Sequence, residues 1–246
     1  GLDPNTTYNF EIYPYTNSGS NINYKTDAVP SDNATTDIQT GFVAGDIYPI
    51  GFNADGNKDI SFVALAEVPS NQEIFFTDEE FNNGFDSGEG FKKWTAPNGG
   101  INAGDVVVID NNASTANLGT VSSVSGSFNL AGGGDELYFY TSDNNATSGN
   151  FTFLSAFTNN TSWGTNLNGT GLTDGTNALS ASAQDDNWEY DRTVTSGTIA
   201  DIKSAIQDVA NNWNSSDGSG DQSFTFSTTE FEVGNILNIT GNEGFR

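Results

Sequence analysis

The chain has 246 residues, with 32 acidic and only seven basic side chains, and a formal net charge of −25. A field of this sign repels phosphate backbones and anionic lipids, which argues against nucleic-acid binding and leaves cations, neutral glycans or a basic partner. Cysteine, histidine and methionine are absent, which excludes disulfides, thiolate chemistry, imidazole metal ligands and a Ser-His nucleophile. No apolar run approaches the ~18 residues of a membrane helix, so we expect no membrane insertion.

The remaining composition favours an all-β fold. The apolar residues are mainly β-branched and aromatic, with 18 Phe, and 28 Gly stand among many Asn, Ser and Thr residues. Such a composition predicts short strands joined by long polar loops. The acidity has a second interpretation, that it only keeps the protein soluble outside the cell.

Residues 1–38 predict a hairpin of their own. Tyr8, Phe10 and Ile12 alternate with polar residues, and the turn signal Asn-Ser-Gly-Ser follows at 17–20. This segment resembles the last two strands of a fibronectin type III domain. The cues are Leu2, Pro4, Thr6, Tyr8, Phe10, Gly19 and the closing Ala34-Thr35-Thr36. The resemblance implies that Tyr8 has a structural role.

The main domain is predicted over residues 39–235, as a β-sandwich around a central meander at 45–81. A polar loop at 111–127 has the potential for edge pairing. Residues 198–211 predict one helix, capped by Ser196 or Thr198 and covering one end of the sandwich. We expect residues 236–246 to lead into a further module. Apolar runs predict strands at 47–52, 60–68, 73–77, 91–95, 105–109, 136–141 and 151–157, with closing strands at 224–226 and 231–233.

Several motifs of this domain resemble lamin-tail-like β-sandwich modules, which occur in large secreted and surface proteins of bacteria, particularly Bacteroidota. The motifs are Gly45-Asp46-Ile47, Gly51-Phe52-Asn53, Asp55-Gly56, Phe62-Val63, Val68-Pro69, Phe76-Thr77-Asp78, Glu89-Gly90, Trp94-Thr95, Ala103-Gly104, Gly134-Asp135 and Ala210-Asn211-Asn212-Trp213. The chain departs from the pattern at Glu80-Phe81, where relatives often carry Trp. The resemblance implies a lamin-tail-like or immunoglobulin-like sandwich, exported by the type 9 pathway, in adhesins or beside secreted hydrolases.

A calcium site is the first candidate for chemistry. Asn53, Asp55, Asn57 and Asp59 recur at every second residue, and Gly56 lets the loop turn. Hard oxygen ligands from Asp and Asn suit Ca²⁺, although the spacing is not that of an EF-hand. The alternative is that these side chains form Asx-turns between strands. Two further acidic segments are weaker candidates for the same ion, 217–221 and 185–186.

A second candidate is the acidic group Asp78, Glu79, Glu80, Asp86 and Glu89. Two facing carboxyl groups can hydrolyse a glycosidic bond if burial raises the pKa of one of them. The surrounding Gly and Asn residues instead predict a solvated loop. We therefore expect calcium or a sugar hydroxyl as its partner, in preference to catalysis.

Aromatic side chains form the third candidate. Trp94 and Trp213 lie in periodic elements and are predicted to belong to the core. Trp163, Trp188 and Tyr190 lie in predicted loops, where exposed rings could stack on the sugar rings of a polysaccharide.

These observations predict a non-catalytic extracellular module of a secreted or surface-anchored protein, with an adhesion or spacer role. Its partners would be a polysaccharide or cell-surface protein and the flanking domains of the same polypeptide. One alternative is a carbohydrate-binding module attached to a secreted hydrolase. A second alternative is a glycoside hydrolase that uses the acidic group.

Overall fold

The computed structural model describes residues 7–11, 13, 15–16, 23–27, 29, 31–35 and 41–234. The chain divides into two compact units, Gly1–Phe42 and Val43–Arg246. None of the helices in these described ranges is long and apolar enough to cross a membrane.

The described residues of the N-terminal unit form two antiparallel strand pairs. β1 (Thr7–Glu11) pairs with β4 (Ser31–Thr35), and β2 (Tyr15–Thr16) pairs with β3 (Asn23–Tyr24). The predicted turn at 17–20 and the side chain of Tyr8 lie outside the described residues, as does the segment 236–246.

The larger unit is a β-sandwich of two six-stranded sheets, which confirms the predicted all-β class. The first sheet contains β5 (Ile47–Asn53), β6 (Ile60–Ala64), β9 (Val106–Asp110), β10 (Thr115–Ala116), β15 (Asn187–Tyr190) and β17 (Trp213–Ser216), in the order β10-β9-β6-β5-β15-β17. The second contains β7 (Glu73–Thr77), β8 (Phe91–Thr95), β11 (Thr120–Ser125), β12 (Glu136–Ser142), β13 (Phe151–Thr158) and β14 (Ala178–Ser180), in the order β11-β8-β7-β12-β13-β14. Neighbours are antiparallel except β13 and β14, which are parallel.

Two predicted strands differ from the observed ones. The strand at 60–68 ends at Ala64, because the chain leaves the sheet in the bends before Val68. Residues 224–226 form no strand. They belong to an irregular segment, residues 217–231, that we call the strap. The potential edge pairing at 111–127 is confirmed, since this segment supplies β10 to one sheet and β11 to the other.

The core between the sheets is aromatic. Phe62 of the first sheet contacts the rings of Trp94 and Phe139 in the second, with centroids 5.3 Å apart in both pairs. Phe157 stacks on Trp213 at 5.1 Å. Trp94 and Trp213 are both buried, as predicted. Burial of several large rings supplies the main driving force for closing the sandwich.

The helix forms where the sequence predicts it, but in two parts. α1 (Ile199–Gln207) begins with a capping box in which Thr198 and Asp201 satisfy each other's backbone N–H groups, and α2 (Val209–Asn212) follows after a break at Asp208. Gln207 donates from Nε2 to the hydroxyl group of Tyr48 at 3.0 Å and to the carbonyl of Thr176 at 2.7 Å. The helix is thereby joined to the first sheet and to the loop before β14. The short β16 (Ser196–Gly197) and β18 (Glu232–Val233) form a separate parallel pair.

The outer face of the second sheet carries a second apolar layer, which we call the outer aromatic cluster. Along β12, Phe139 faces the other sheet, whereas Tyr138 and Tyr140 point outward into this cluster. Loops fold over the outward side chains and exclude water from them. The cluster includes Phe75, Phe81, Phe91, Tyr138, Tyr140, Phe153, Trp163 and Leu172, with Phe85 and Phe151 packed against it.

Candidate functional site

The quartet predicted to bind calcium is used for local hydrogen bonding. Asn53 is fully buried, and its side-chain amide exchanges two hydrogen bonds with the backbone of Phe224, at 2.9 and 3.0 Å. Asp55 accepts from the backbone N–H groups of Gly56 and Gln222, and Asp59 accepts from that of Asn111. These contacts account for the polar pattern without a cation. Binding of Ca²⁺ by Asn53, Asp55, Asn57 and Asp59 together stays a prediction.

Replacing Asn53 with Ala is expected to lower the free energy of unfolding by about 1–2 kcal/mol, because the N–H and C=O of Phe224 each lose their partner. Urea unfolding followed by tryptophan fluorescence measures the change. The control is Asn57→Ala in the same turn, whose side chain is exposed and whose loss is expected to change stability by less than about 0.5 kcal/mol. Equal effects of the two substitutions would contradict the assigned role of Asn53.

The three aromatic residues predicted as a binding platform are buried, so the prediction that places them in exposed loops is wrong. Trp188 lies in β15, and its indole N–H donates to the carbonyl of Asp185 at 3.1 Å. Tyr190 lies in the same strand and donates from its hydroxyl group to Val194 at 2.9 Å. Trp163 packs against Tyr138 in the outer aromatic cluster. Trp163 is covered by its own loop, residues 159–177, whereas Trp188 and Tyr190 are buried because they belong to β15 of the first sheet. Sequence spacing reveals neither kind of cover.

Carboxyl groups converge at one end of the second sheet, in a set that we call the carboxylate cluster: Asp78, Glu79, Glu80, Glu89 and Asp135. Oxygens of Asp78, Glu89 and Asp135 lie within 4.8 Å of one another, as do oxygens of Glu79, Glu80 and Glu89. Asp86 of the predicted acidic group is exposed and does not join them.

The sheet topology explains this convergence. Asp78 follows the last residue of β7, Glu89 precedes β8, and Asp135 precedes β12. β8 and β12 both lie antiparallel beside β7, so the end of β7 meets the beginnings of both neighbours. Sequence reasoning missed Asp135 as a site residue because its proximity depends on the pairing of β7 with β12. The only sequence signal was its place in the Gly134-Asp135 motif.

The prediction that the acidic group is a solvated loop is wrong for Asp78 and Glu79, whereas Asp86 is exposed and Glu80 and Glu89 are partly exposed. Only 1% of Asp78, 2% of Glu79 and 4% of Asp135 is exposed. Among the described residues, none of the cluster's carboxylates forms an ion pair with Lys or Arg; the Lys93–Glu73 pair lies at the opposite end of β7. Burying several carboxylates without a cationic partner is costly unless hydrogen bonds or protonation compensate.

Backbone donors supply most of that compensation. Asp78 accepts from the N–H groups of Gly90, at 2.9 Å, and Asn129. Asp135 accepts from those of Ala131 and Glu136, at 2.7 and 2.8 Å. The cluster therefore joins the segments before β8 and β12 to the end of β7.

A third anchor comes from Glu79, which accepts from the N–H of Glu89 at 2.9 Å. Glu89 differs from the other members, because its Oε2 is buried and has no hydrogen-bond partner in the described chain.

The cluster also perturbs its own acidity. Burial is the main cause that raises the pKa of Glu89 to about 8, and repulsion from the carboxylates of Asp135 and Asp78 adds to it. Burial also raises the pKa of Asp135, to about 7, and the pKa of Asp78. A group of proton-binding oxygens this close together can exchange its protons for one divalent cation, and hard oxygen donors suit Ca²⁺.

Two cavities lie elsewhere in the larger unit. One, of about 310 Å³, is lined by Asp174, Ser180, Gln207 and Asp208 among others. The other, of about 230 Å³, is lined by residues of the first sheet and the strap. The carboxylate cluster lines neither of them.

The chain matches no protein-family model, no curated protein and no solved structure.

Proposed function

We propose that this chain is a non-catalytic module of a secreted or surface-anchored bacterial protein, acting in adhesion or as a spacer between flanking domains. The resemblance of its motifs to lamin-tail-like modules supports that context, and the net charge of −25 suits an extracellular protein. The observation that carries the proposal is that the buried carboxylates are hydrogen-bonded within the fold. Asp78 and Asp135 are held by backbone N–H groups and join strand ends, which is a structural role.

A Ca²⁺ ion at the carboxylate cluster belongs to this proposal. Asp78, Glu89 and Asp135 would supply the ligands, since their oxygens lie together and Glu89 Oε2 lacks a partner. A cation there would neutralise buried charge at the junction of three strands. Rigidity of the module would then depend on the calcium concentration of its surroundings.

Thermal unfolding with excess Ca²⁺ and with EGTA tests the ion. We expect Ca²⁺ to raise Tm by roughly 5 °C or more, because a ligand in large excess over its Kd contributes about 2–3 kcal/mol to a domain of this size. Glu89→Gln is expected to abolish the shift. Asp86→Asn, an exposed acid of the same loop, should retain it. An identical Tm in Ca²⁺ and EGTA would exclude the ion from the proposal.

A glycoside hydrolase is the second candidate, because a carboxyl group with a pKa of about 8 beside other carboxylates is what acid catalysis requires. The anchoring of Asp78 and Asp135 by backbone N–H groups favours the structural role. Incubation of the chain with a panel of marine and plant polysaccharides distinguishes the two. Release of reducing ends that Glu89→Gln abolishes would establish the hydrolase and overturn the non-catalytic module.

A further inference from the structure

The 230 Å³ cavity lies on the outer face of the first sheet, beneath the strap. The strap is held at one end by Asn53, which pairs with the backbone of Phe224, and by Asp55, which accepts from Gln222. Further along, the N–H of Phe231 donates to the carbonyl of Gly104 at 2.8 Å. The roof of the cavity is therefore fixed on both sides of Phe226.

The floor of the cavity follows from strand register. Glu189 of β15 is paired with Gly51 of β5, and Gly51 is paired with Ser61 of β6. The neighbouring side chains of Trp188 and Phe62 point into the core between the sheets. Glu189 and Ser61 therefore point outward, because successive side chains alternate across a strand.

Gly51 has no side chain, and the ring of Phe226 occupies the space between these two side chains. A Cβ at this position would lie 2.3 Å from Ser61 Oγ and 2.6 Å from the ring of Phe226. The aromatic ring thus rests directly on the glycine. The carboxylate of Glu189 and the hydroxyl group of Ser61 lie on either side of Gly51. The backbones of these two residues are separated by two strand spacings, or about 10 Å.

Ser61 lacks a hydrogen-bond partner. Only 1% of the residue is exposed, and its buried Oγ has no partner in the described chain, although it lines the cavity. Buried hydroxyl groups are nearly always paired, so this group points to something that enters the cavity. The remaining polar residues of the lining include Thr225, Ser227 and Arg192.

We propose that this cavity binds a single neutral sugar ring, with the ring of Phe226 turned off Gly51 to cover the apolar face of the sugar and with Ser61 and Glu189 hydrogen-bonded to its hydroxyl groups. Hydroxyl groups on the protein both donate and accept, as those of a sugar do. The lining carries one cationic side chain against two carboxylates, Glu189 and Asp191, and so lacks the strong excess of charge that an ionic ligand would need. The volume is below the ~300–1,000 Å³ of drug-sized ligand sites, which limits the occupant to one ring.

Amide chemical-shift titration of the whole chain with a panel of methyl monosaccharides tests the proposal. We expect at least one sugar to shift the amides of Ser61, Glu189 and Phe226 with saturation, at a Kd on the order of 1 mM. Ser61→Ala should raise the Kd for that sugar about tenfold, since the substitution removes one buried hydrogen bond.

The matched control is Ser155→Ala. Ser155 carries another buried Oγ without a partner, but it does not line this cavity, so its loss should leave sugar affinity unchanged. Glu89→Gln should also leave it unchanged, because this proposal does not depend on the cation. Absence of any saturating shift, or unchanged affinity in Ser61→Ala, would overturn the proposal. Saturating shifts with the free amino acid glycine or with an alkylamine, and with no sugar, would overturn the proposal as well.

Discussion

Asp78→Ala is expected to lower the free energy of unfolding by about 3 kcal/mol in EGTA. The Asp78 carboxylate is buried and accepts from the N–H groups of Gly90 and Asn129, which lie in two different segments. Truncation leaves the buried N–H of Gly90 without a partner and releases the residues before β12. Each lost hydrogen bond to a charged acceptor contributes about 1.5–3 kcal/mol, and relief of repulsion from neighbouring acids offsets part of the sum.

Two further variants separate the hydrogen bonds from the charge. Asp78→Asn keeps one acceptor oxygen and removes the charge, so we expect a smaller loss of about 1 kcal/mol. Asp86→Ala removes an exposed acid from the same loop and should change stability by less than about 0.5 kcal/mol. Urea unfolding by tryptophan fluorescence measures all three variants. A loss in Asp78→Ala no greater than in Asp86→Ala would show that the carboxylate does not anchor the strand ends.

In EGTA, stability is expected to fall by on the order of 2 kcal/mol as the pH rises from about 5 to about 8. Burial raises the pKa of Glu89 to about 8 and that of Asp135 to about 7, whereas both groups titrate near pH 4 in the unfolded chain. Between these pKa values the folded state binds more protons than the unfolded state. Raising the pH removes protons that favour the fold, so this contribution is present below about pH 4 and lost through pH 7 to 8. The expected change of about 2 kcal/mol is smaller than the full ~1.4 kcal/mol per pKa unit would give, because Glu89 is partly exposed and solvent screens its charge.

Carboxyl groups whose pKa is lowered by folding affect stability outside the range from about pH 5 to about pH 8. Hydrogen bonds from Asn150 and Thr198 lower the pKa values of Asp143 and Asp201, so their contributions change only in more acidic solution. General repulsion among the acidic side chains also grows with pH, and the variant Glu89→Gln corrects for it. We expect a flatter pH profile for Glu89→Gln than for the unmodified chain.

Calcium should reverse the trend, because it competes with protons for the same oxygens. The Ca²⁺-dependent rise in Tm is therefore expected to increase from pH 5 to pH 8. Stability that rises with pH in EGTA, with the same slope in Glu89→Gln, would contradict the assignment of raised pKa values to the cluster.

Local patterns were enough to predict several elements. Alternation along β12 separates Phe139 from Tyr138 and Tyr140, and the structure places the two sets on opposite faces of the sheet. The capping box of α1 is visible in the spacing of Thr198 and Asp201. These features depend on neighbours within a few residues, which is why sequence reasoning finds them.

The candidate sites were not predictable in the same way. Trp163 lies among polar residues, and only the cover provided by its loop shows that it belongs to a core. The acidic residues after β7 have the composition of an exposed loop, yet Asp78 is buried because Asp135 and the β8 segment close over it. Ser61 belongs to a strand that the sequence predicts well, but the strap that encloses it is more than a hundred residues away.

By itself, the sequence determined the all-β class, most strand positions, the capped helix and the exclusion of thiol and imidazole chemistry, because composition and short-range periodicity express these properties directly. Only the tertiary structure decided which polar groups are buried and which of them meet. Strand pairing brings Asp78, Glu89 and Asp135 together, and register aligns Glu189, Gly51 and Ser61. The physical reason is that such contacts depend on long-range pairing of strand ends and on loop cover, for which one chain carries no local signal.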